Sequence, residues 1–371
     1  MSLELRLILM AILIAALVAY RSGFFKKLKE KRGQREAEEK QKLRREQKRA
    51  RIQEAKRREE LQRQKTVELL KRASPGLLQR SAMVGGQEIW YLEGGARGEL
   101  PSVVLLHGFA GDKETWAPVA ARLARRQWHV VVPDLPGFGQ NSKDDKPSYD
   151  VTTQAKRVRA FARKIGLDRV HLVGCSMGAT IAATCAYGAA DEVASLVLVE
   201  PFGLRLPYQS ELDEMLAEDR NPLIIANPQA YDNLLSYLYA EPPELAPGLA
   251  QYRAAVAAAN RVLYLKIWKE TREGDRANLL DLLLPELKVR TLLLLGSKSR
   301  LVHGATADAI RAMMPGSTSL VIDGCGHFLM EERPEEAEKH IARFLTAVSG
   351  VPADPPAGPP ADAAAGRPAG A

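Results

Sequence analysis

Val170-His171-Leu172-Val173-Gly174-Cys175-Ser176-Met177-Gly178-Ala179 decides how this chain is read. A short run rich in Val and Leu stops at Gly174. An Ala, Thr and Ile run with no breaker then continues to Gly188. The pattern predicts a strand, a tight turn and a helix. A turn this sharp strains its central residue, so the positions two before and two after it must be nearly without side chains. Gly174 and Gly178 meet that need. The expected result is a serine hydroxyl, on Ser176, raised to the top of a sheet. It sits at a helix N-terminus, where backbone N–H groups face incoming negative charge.

Outward from this stretch, Glu88–Leu92, Val103–Leu106, Val130–Val132, Leu196–Val199, Thr291–Leu295 and Leu320–Ile322 read as strands. Helices are expected over residues 115–126, 151–165 and 305–314. Strands apolar on both faces, alternating with helices, predict a mostly parallel sheet of α/β class. Ligand sites in such sheets lie at the C-terminal strand ends. Residues 203–280 break the alternation. They are helical in composition and rich in rings: Tyr208, Tyr231, Tyr237, Tyr239, Tyr252, Tyr264 and Trp268. A helical cap is expected there, most of its rings packing its own core. It separates two parts of one core, 74–202 and 281–349.

The 371 residues suffice for one large domain with tails. Three cysteines, at 175, 185 and 325, give no disulfide framework and fit a reducing compartment. No Cys/His spacing resembles a zinc site, and no Gly-rich phosphate loop is present, so no metal, nucleotide or flavin cofactor is expected. The net charge is +8, but residues 21–65 hold 19 Lys and Arg against 8 Glu. The basic character belongs to that segment, which argues against nucleic acid as a partner.

Leu7 to Tyr20 carries no charge, and Arg21, Lys26, Lys27 and Lys29 follow it. This predicts an uncleaved single-pass anchor over residues 1–25 in an inner membrane, with the C-terminal side in the cytoplasm. A cleaved signal peptide and a helix lying on the membrane are the rivals. Residues 26–73 read as a charged helical stalk drawn to anionic headgroups. Residues 350–371, rich in Pro, Ala and Gly, read as a disordered tail.

His107-Gly108-Phe109, Asp134-Leu135-Pro136-Gly137-Phe138-Gly139, Gly174-Cys175-Ser176-Met177-Gly178 and Gly326-His327 follow one another in the order of the α/β-hydrolases, which this chain resembles over about 81–348. The Cys325-Gly326-His327…Glu332-Arg333-Pro334 ending is similar to membrane-anchored monoacylglycerol lipases and to ring-cleavage C–C hydrolases of the same branch. The resemblance implies an α/β-hydrolase fold with an eight-stranded sheet. It implies Ser176 as nucleophile, His327 as base, and the backbone N–H groups of Phe109 and Met177 as oxyanion donors. His107 resembles the family's loop-shaping histidine, an ordinary hydrogen-bonded role being the leading expectation for it. Cys175 and Cys325 are expected to be small buried fillers.

The acid is where this chain departs from the family. The usual aspartate follows the strand over 291–295, and the matching residue is Ser299. No carboxylate lies between Glu286 and Asp308. Three readings stand: Glu200, at the end of the preceding strand, supplies the acid; Ser176 and His327 work as a dyad; or the domain is a non-catalytic, membrane-tethered scaffold. The leading expectation is a membrane-anchored serine esterase or lipase acting on monoacylglycerol-like lipids through an acyl-enzyme. C–C hydrolysis with the same serine is the alternative. Ser176 at the elbow disfavours epoxide hydrolysis and dehalogenation.

Overall fold

A computed structural model describes residues 7–23, 32, 41, 42, 45, 75–244, 249–272 and 277–351. The chain divides into two units, Met1–Lys65 and Thr66–Ala371. In the first, residues 7–23 form a helix (α1) whose apolar side chains stand exposed, Leu13 at 63%. Among the described residues no helix is long and apolar enough to cross a membrane. The transmembrane anchor expected over residues 1–25 therefore has no spanning counterpart there. The described stretch of α1 covers 17 residues, against about 20 for a bilayer crossing. Most of the expected stalk, and the tail from residue 352, lie outside the described residues.

The second unit is built on an eight-stranded sheet of order β1-β2-β4-β3-β5-β6-β7-β8. Its strands are β1 (Leu77–Val84), β2 (Gln87–Gly94), β3 (Ser102–Leu106), β4 (Val130–Pro133), β5 (Val170–Cys175), β6 (Val193–Val199), β7 (Thr291–Gly296) and β8 (Thr318–Ile322). β3 to β8 pair in parallel, while β1 and β2 run antiparallel. β1 escaped the sequence reading because it alternates half-buried and exposed positions at the sheet edge. Its signal was the Gly85-Gly86 pair. Both residues take positive φ, 56° and 80°, as a two-residue hairpin turn requires.

Helices cover both faces. On one side α2 (Ala117–Arg125) packs with Trp116, Leu123, Ile341 and Leu345 in a single apolar cluster. On the other, α3 (Val151–Lys164) and α4 (Met177–Gly188) bury Phe161, Ile181 and Ala182. Asp150 caps α3, accepting from the Thr153 N–H at 2.9 Å. Six of the nine buried positions of α4 are Ala, Gly or Thr, which lets it lie close to the strands.

Between β6 and β7 stand α5 (Glu211–Ala217), α6 (Pro228–Leu238), α7 (Leu249–Ala259), α8 (Arg261–Arg272) and α9 (Leu279–Leu283). Leu212, Ile225, Tyr231, Leu234 and Leu238 form a separate core within them. α10 (Thr306–Met313), α11 (Leu329–Glu332) and α12 (Pro334–Ser349) complete the unit.

Candidate active site

The turn after β5 is as tight as its sequence demands. Ser176 has φ 55° and ψ −119°, a strained conformation for a residue with a side chain. A Cβ on Gly178 would lie 2.5 Å from the His107 and Leu106 carbonyl oxygens, and one on Gly174 would strike the Gly178 carbonyl. Both neighbours are backbone and cannot step aside. Gly178→Ala is therefore expected to destabilise the fold by about 3 kcal/mol, the upper range for overpacking, read as a lower urea midpoint with unchanged slope. The Ser176 N–H donates to the Val199 carbonyl at 2.9 Å, which ties the turn to the end of β6.

The residue after Val199 is Glu200. It is fully buried, with φ 47°. Its Oε2 lies 3.0 Å from His327 Nδ1, and His327 is 3% exposed. Glu200 Oε1 accepts from the Gly296 N–H at 2.6 Å. Oε2 also accepts from the Ser299 hydroxyl at 2.5 Å. Ser299, which stands where an aspartate was expected, thus holds a carboxylate that comes from the neighbouring strand. A carboxylate only accepts, so the His327 proton is assigned to Nδ1, and Nε2 is left as the basic nitrogen.

The loop that carries His327 is pinned from two sides. Glu332 accepts from the Gly326 N–H at 2.8 Å, and the Phe328 N–H donates to the Leu238 carbonyl of α6 at 3.0 Å. Sequence reasoning quoted Glu332 but gave it no part. Its position five residues past the histidine was the signal. The Ser176 hydroxyl makes no hydrogen bond among the described residues. Contacts between nucleophile and base commonly tighten only when substrate is bound.

Phe109 and Met177 flank the serine. Met177 opens α4, so its N–H is one that a helix leaves without an internal partner. Gly108 lies against Ser176: a Cβ there would be 3.2 Å from the serine Cβ. His107 shapes this loop. Its Nδ1 is 2.8 Å from the Gly108 carbonyl, and its Nε2 accepts from the Leu135 N–H at 2.9 Å. Burial holds its pKa below the usual histidine value, in keeping with a neutral ring. Asp134 accepts from the Lys113 backbone at 2.8 Å and from its ammonium at 3.1 Å, which braces the same loop from behind.

Ser176, His327, Phe109 and Met177 line one cavity. Its walls are mostly apolar, from Phe202, Leu212, Leu223, Leu238, Leu301 and Phe328 among others, with Thr180, Thr271 and Arg272 between them. Of the seven rings singled out between 203 and 280, only Trp268 reaches it. Tyr231, Tyr239 and Tyr264 are buried in cores, and Tyr208 is exposed. Cys175 and Cys325 are buried, and burial raises both thiols, Cys325 to about 12, so neither is a thiolate nucleophile. Among the described residues no three His, Cys, Asp or Glu side chains gather as a metal site.

A family model described as alpha/beta hydrolase family matches residues 103–339. Monoacylglycerol lipase ABHD6 of Mus musculus is 29% identical over 290 residues, 75% of this chain and 85% of that protein. The crystal structure of a membrane phospholipase A, a bacterial virulence factor, superposes with a TM-score of 0.72 at 37% identity, covering 76% of this chain and 90% of that one. A 2-hydroxy-6-oxo-6-phenylhexa-2,4-dienoate hydrolase from Rhodococcus sp. strain RHA1 gives a TM-score of 0.61 at 22% identity, covering 72% and 98%, a likeness of fold alone.

Proposed function

Since the chain belongs to the α/β-hydrolase family, we propose that it is a serine hydrolase that cleaves carboxylic esters of lipids through an acyl-enzyme. The observation that carries this reading is the buried His327–Glu200 pair at 3.0 Å, with His327 lining the same apolar cavity as Ser176. His327 Nε2 takes the Ser176 proton as the hydroxyl attacks the ester carbonyl. Negative charge moves onto the carbonyl oxygen, and the N–H groups of Phe109 and Met177 receive it. Glu200 steadies the imidazolium that forms. The imidazolium then protonates the leaving alcohol, and His327 activates the water that releases the acid.

The apolar walls suit a medium or long acyl chain, and the relatives named as a monoacylglycerol lipase and a membrane phospholipase A support a glycerolipid ester. The exposed apolar side chains of α1 and the basic residues of 21–65 support attachment to an anionic membrane, with the hydrolase unit on its cytoplasmic side. The test is turnover of p-nitrophenyl esters of rising acyl length by the full chain, beside flotation with phosphatidylserine vesicles. The expected results are a kcat of about 1–10³ s⁻¹ with an optimum at medium or long acyl length, and flotation that weakens with salt. Turnover of a dienoic C–C substrate with none on any ester would overturn the esterase reading. Absence of flotation at low salt would overturn the membrane reading.

A further inference from the structure

Arg272, the last residue of α8, lines the cavity that holds Ser176. Two features of its place suit a cation without any ligand. A helix C-terminus attracts positive charge. The guanidinium also lies over the Phe202 ring at 3.1 Å from the centroid, and 5.6 Å from that of Trp268. Stacking of this kind covers the faces of the group. It does not use the N–H fork, which projects from the edges and offers five donors.

The fork is underused. One Nη donates to the Ala277 carbonyl at 3.4 Å, a long bond. Nε is buried and has no partner among the described residues. Asp213 acts on Arg272 electrostatically, but makes no ion pair with it, and its Oδ2 accepts from the Ser210 N–H at 3.0 Å and hydroxyl at 2.7 Å. Among the described residues no carboxylate forms an ion pair with Arg272. Burial accordingly pulls this group below the usual guanidinium pKa. A half-buried cation whose Nε is buried and idle, on the wall of a cavity, is matched by an oxyanion.

We propose that Arg272 is an anion subsite of this cavity, receiving the phosphate or carboxylate of an amphiphile whose hydrocarbon chain lies along the apolar walls. The ligand class is then an acyl chain bearing a negative group, and on the esterase reading the substrate is an acyl ester of lysophospholipid type. Only that last step rests on the proposed function. The subsite itself is tested without hydrolysis.

The experiment is calorimetric titration of the full chain in non-ionic detergent with octyl phosphate, octanoate, 1-octanol and inorganic phosphate. Octyl phosphate or octanoate is expected to bind at least about 10-fold more tightly than 1-octanol, the range of one charge-assisted hydrogen bond. Arg272→Gln should erase that preference, and Arg272→Lys should keep part of it with an unchanged melting profile. Equal affinity for the alcohol and the anions would overturn the proposal, as would a preference that survives in folded Arg272→Gln. Inorganic phosphate bound as tightly as octyl phosphate would overturn the amphiphile as its ligand. Since none of these probes is an ester, a missing esterase activity leaves the outcome readable.

Discussion

Ser176→Ala is expected to lower kcat for ester hydrolysis by about 10⁶-fold, with KM nearly unchanged. In the proposed mechanism the hydroxyl is the atom that attacks, so no acyl-enzyme would form without it. The oxyanion donors and the cavity remain, and by themselves they supply about 10³–10⁴ over the uncatalysed rate. Alanine keeps the Cβ and so keeps the strain of φ 55° at the turn. The melting temperature should therefore stay within about 2 °C, which separates a chemical loss from a folding loss. The measurement is p-nitrophenyl ester turnover beside labelling by a phosphonate ester, with the adduct located by mass spectrometry. Retention of more than about one part in a hundred of the activity would place the nucleophile elsewhere.

Glu200→Gln is expected to cost about 10⁴-fold in kcat. The carboxylate accepts three hydrogen bonds, from Gly296, Ser299 and His327. An amide has one accepting oxygen, so at least one buried donor loses its partner. If the amide nitrogen turns toward His327, it donates to Nδ1 and drives the proton to Nε2, the atom that must be free to accept from Ser176. Ser299→Ala removes one of three donors and leaves the charge, so its cost should be about 10-fold, the worth of one hydrogen bond to a charged group. Comparing the two variants at matched folding decides among the readings. A small effect from Glu200→Gln would favour the Ser176–His327 dyad.

The elbow was legible because steric necessity writes itself into composition: only glycine can stand where a carbonyl passes 2.5 Å from the missing Cβ. The central strands were legible for a similar reason, being buried on both faces and mostly apolar. β1 was not, since an edge strand that is half exposed carries no continuous apolar run. Glu200 stood out only through the absence at Ser299. Chain order placed both residues at strand ends, but it took the sheet order, with β6 beside β7, to bring them into contact. Arg272 was invisible. A single arginine in a helix-rich stretch says nothing until its stacking partners, distant or one turn away, and its unpaired Nε are known.

The 2.5 Å bond between Ser299 and Glu200 also constrains how such a site can change through descent. Two carboxylates in that space cannot both ionise, and one would hold a proton that the other shares. A lineage that moves its acid from one strand end to the other therefore has two routes. It passes through a form with no acid, running on serine and histidine alone. Or it passes through a form with two acids, in which the charge beside the imidazole depends on the pH of the surroundings. A hydroxyl at 299 avoids both difficulties. It fills the position with a donor to Glu200 and adds no second charge, so carboxylates at these two positions exclude each other as ionised partners.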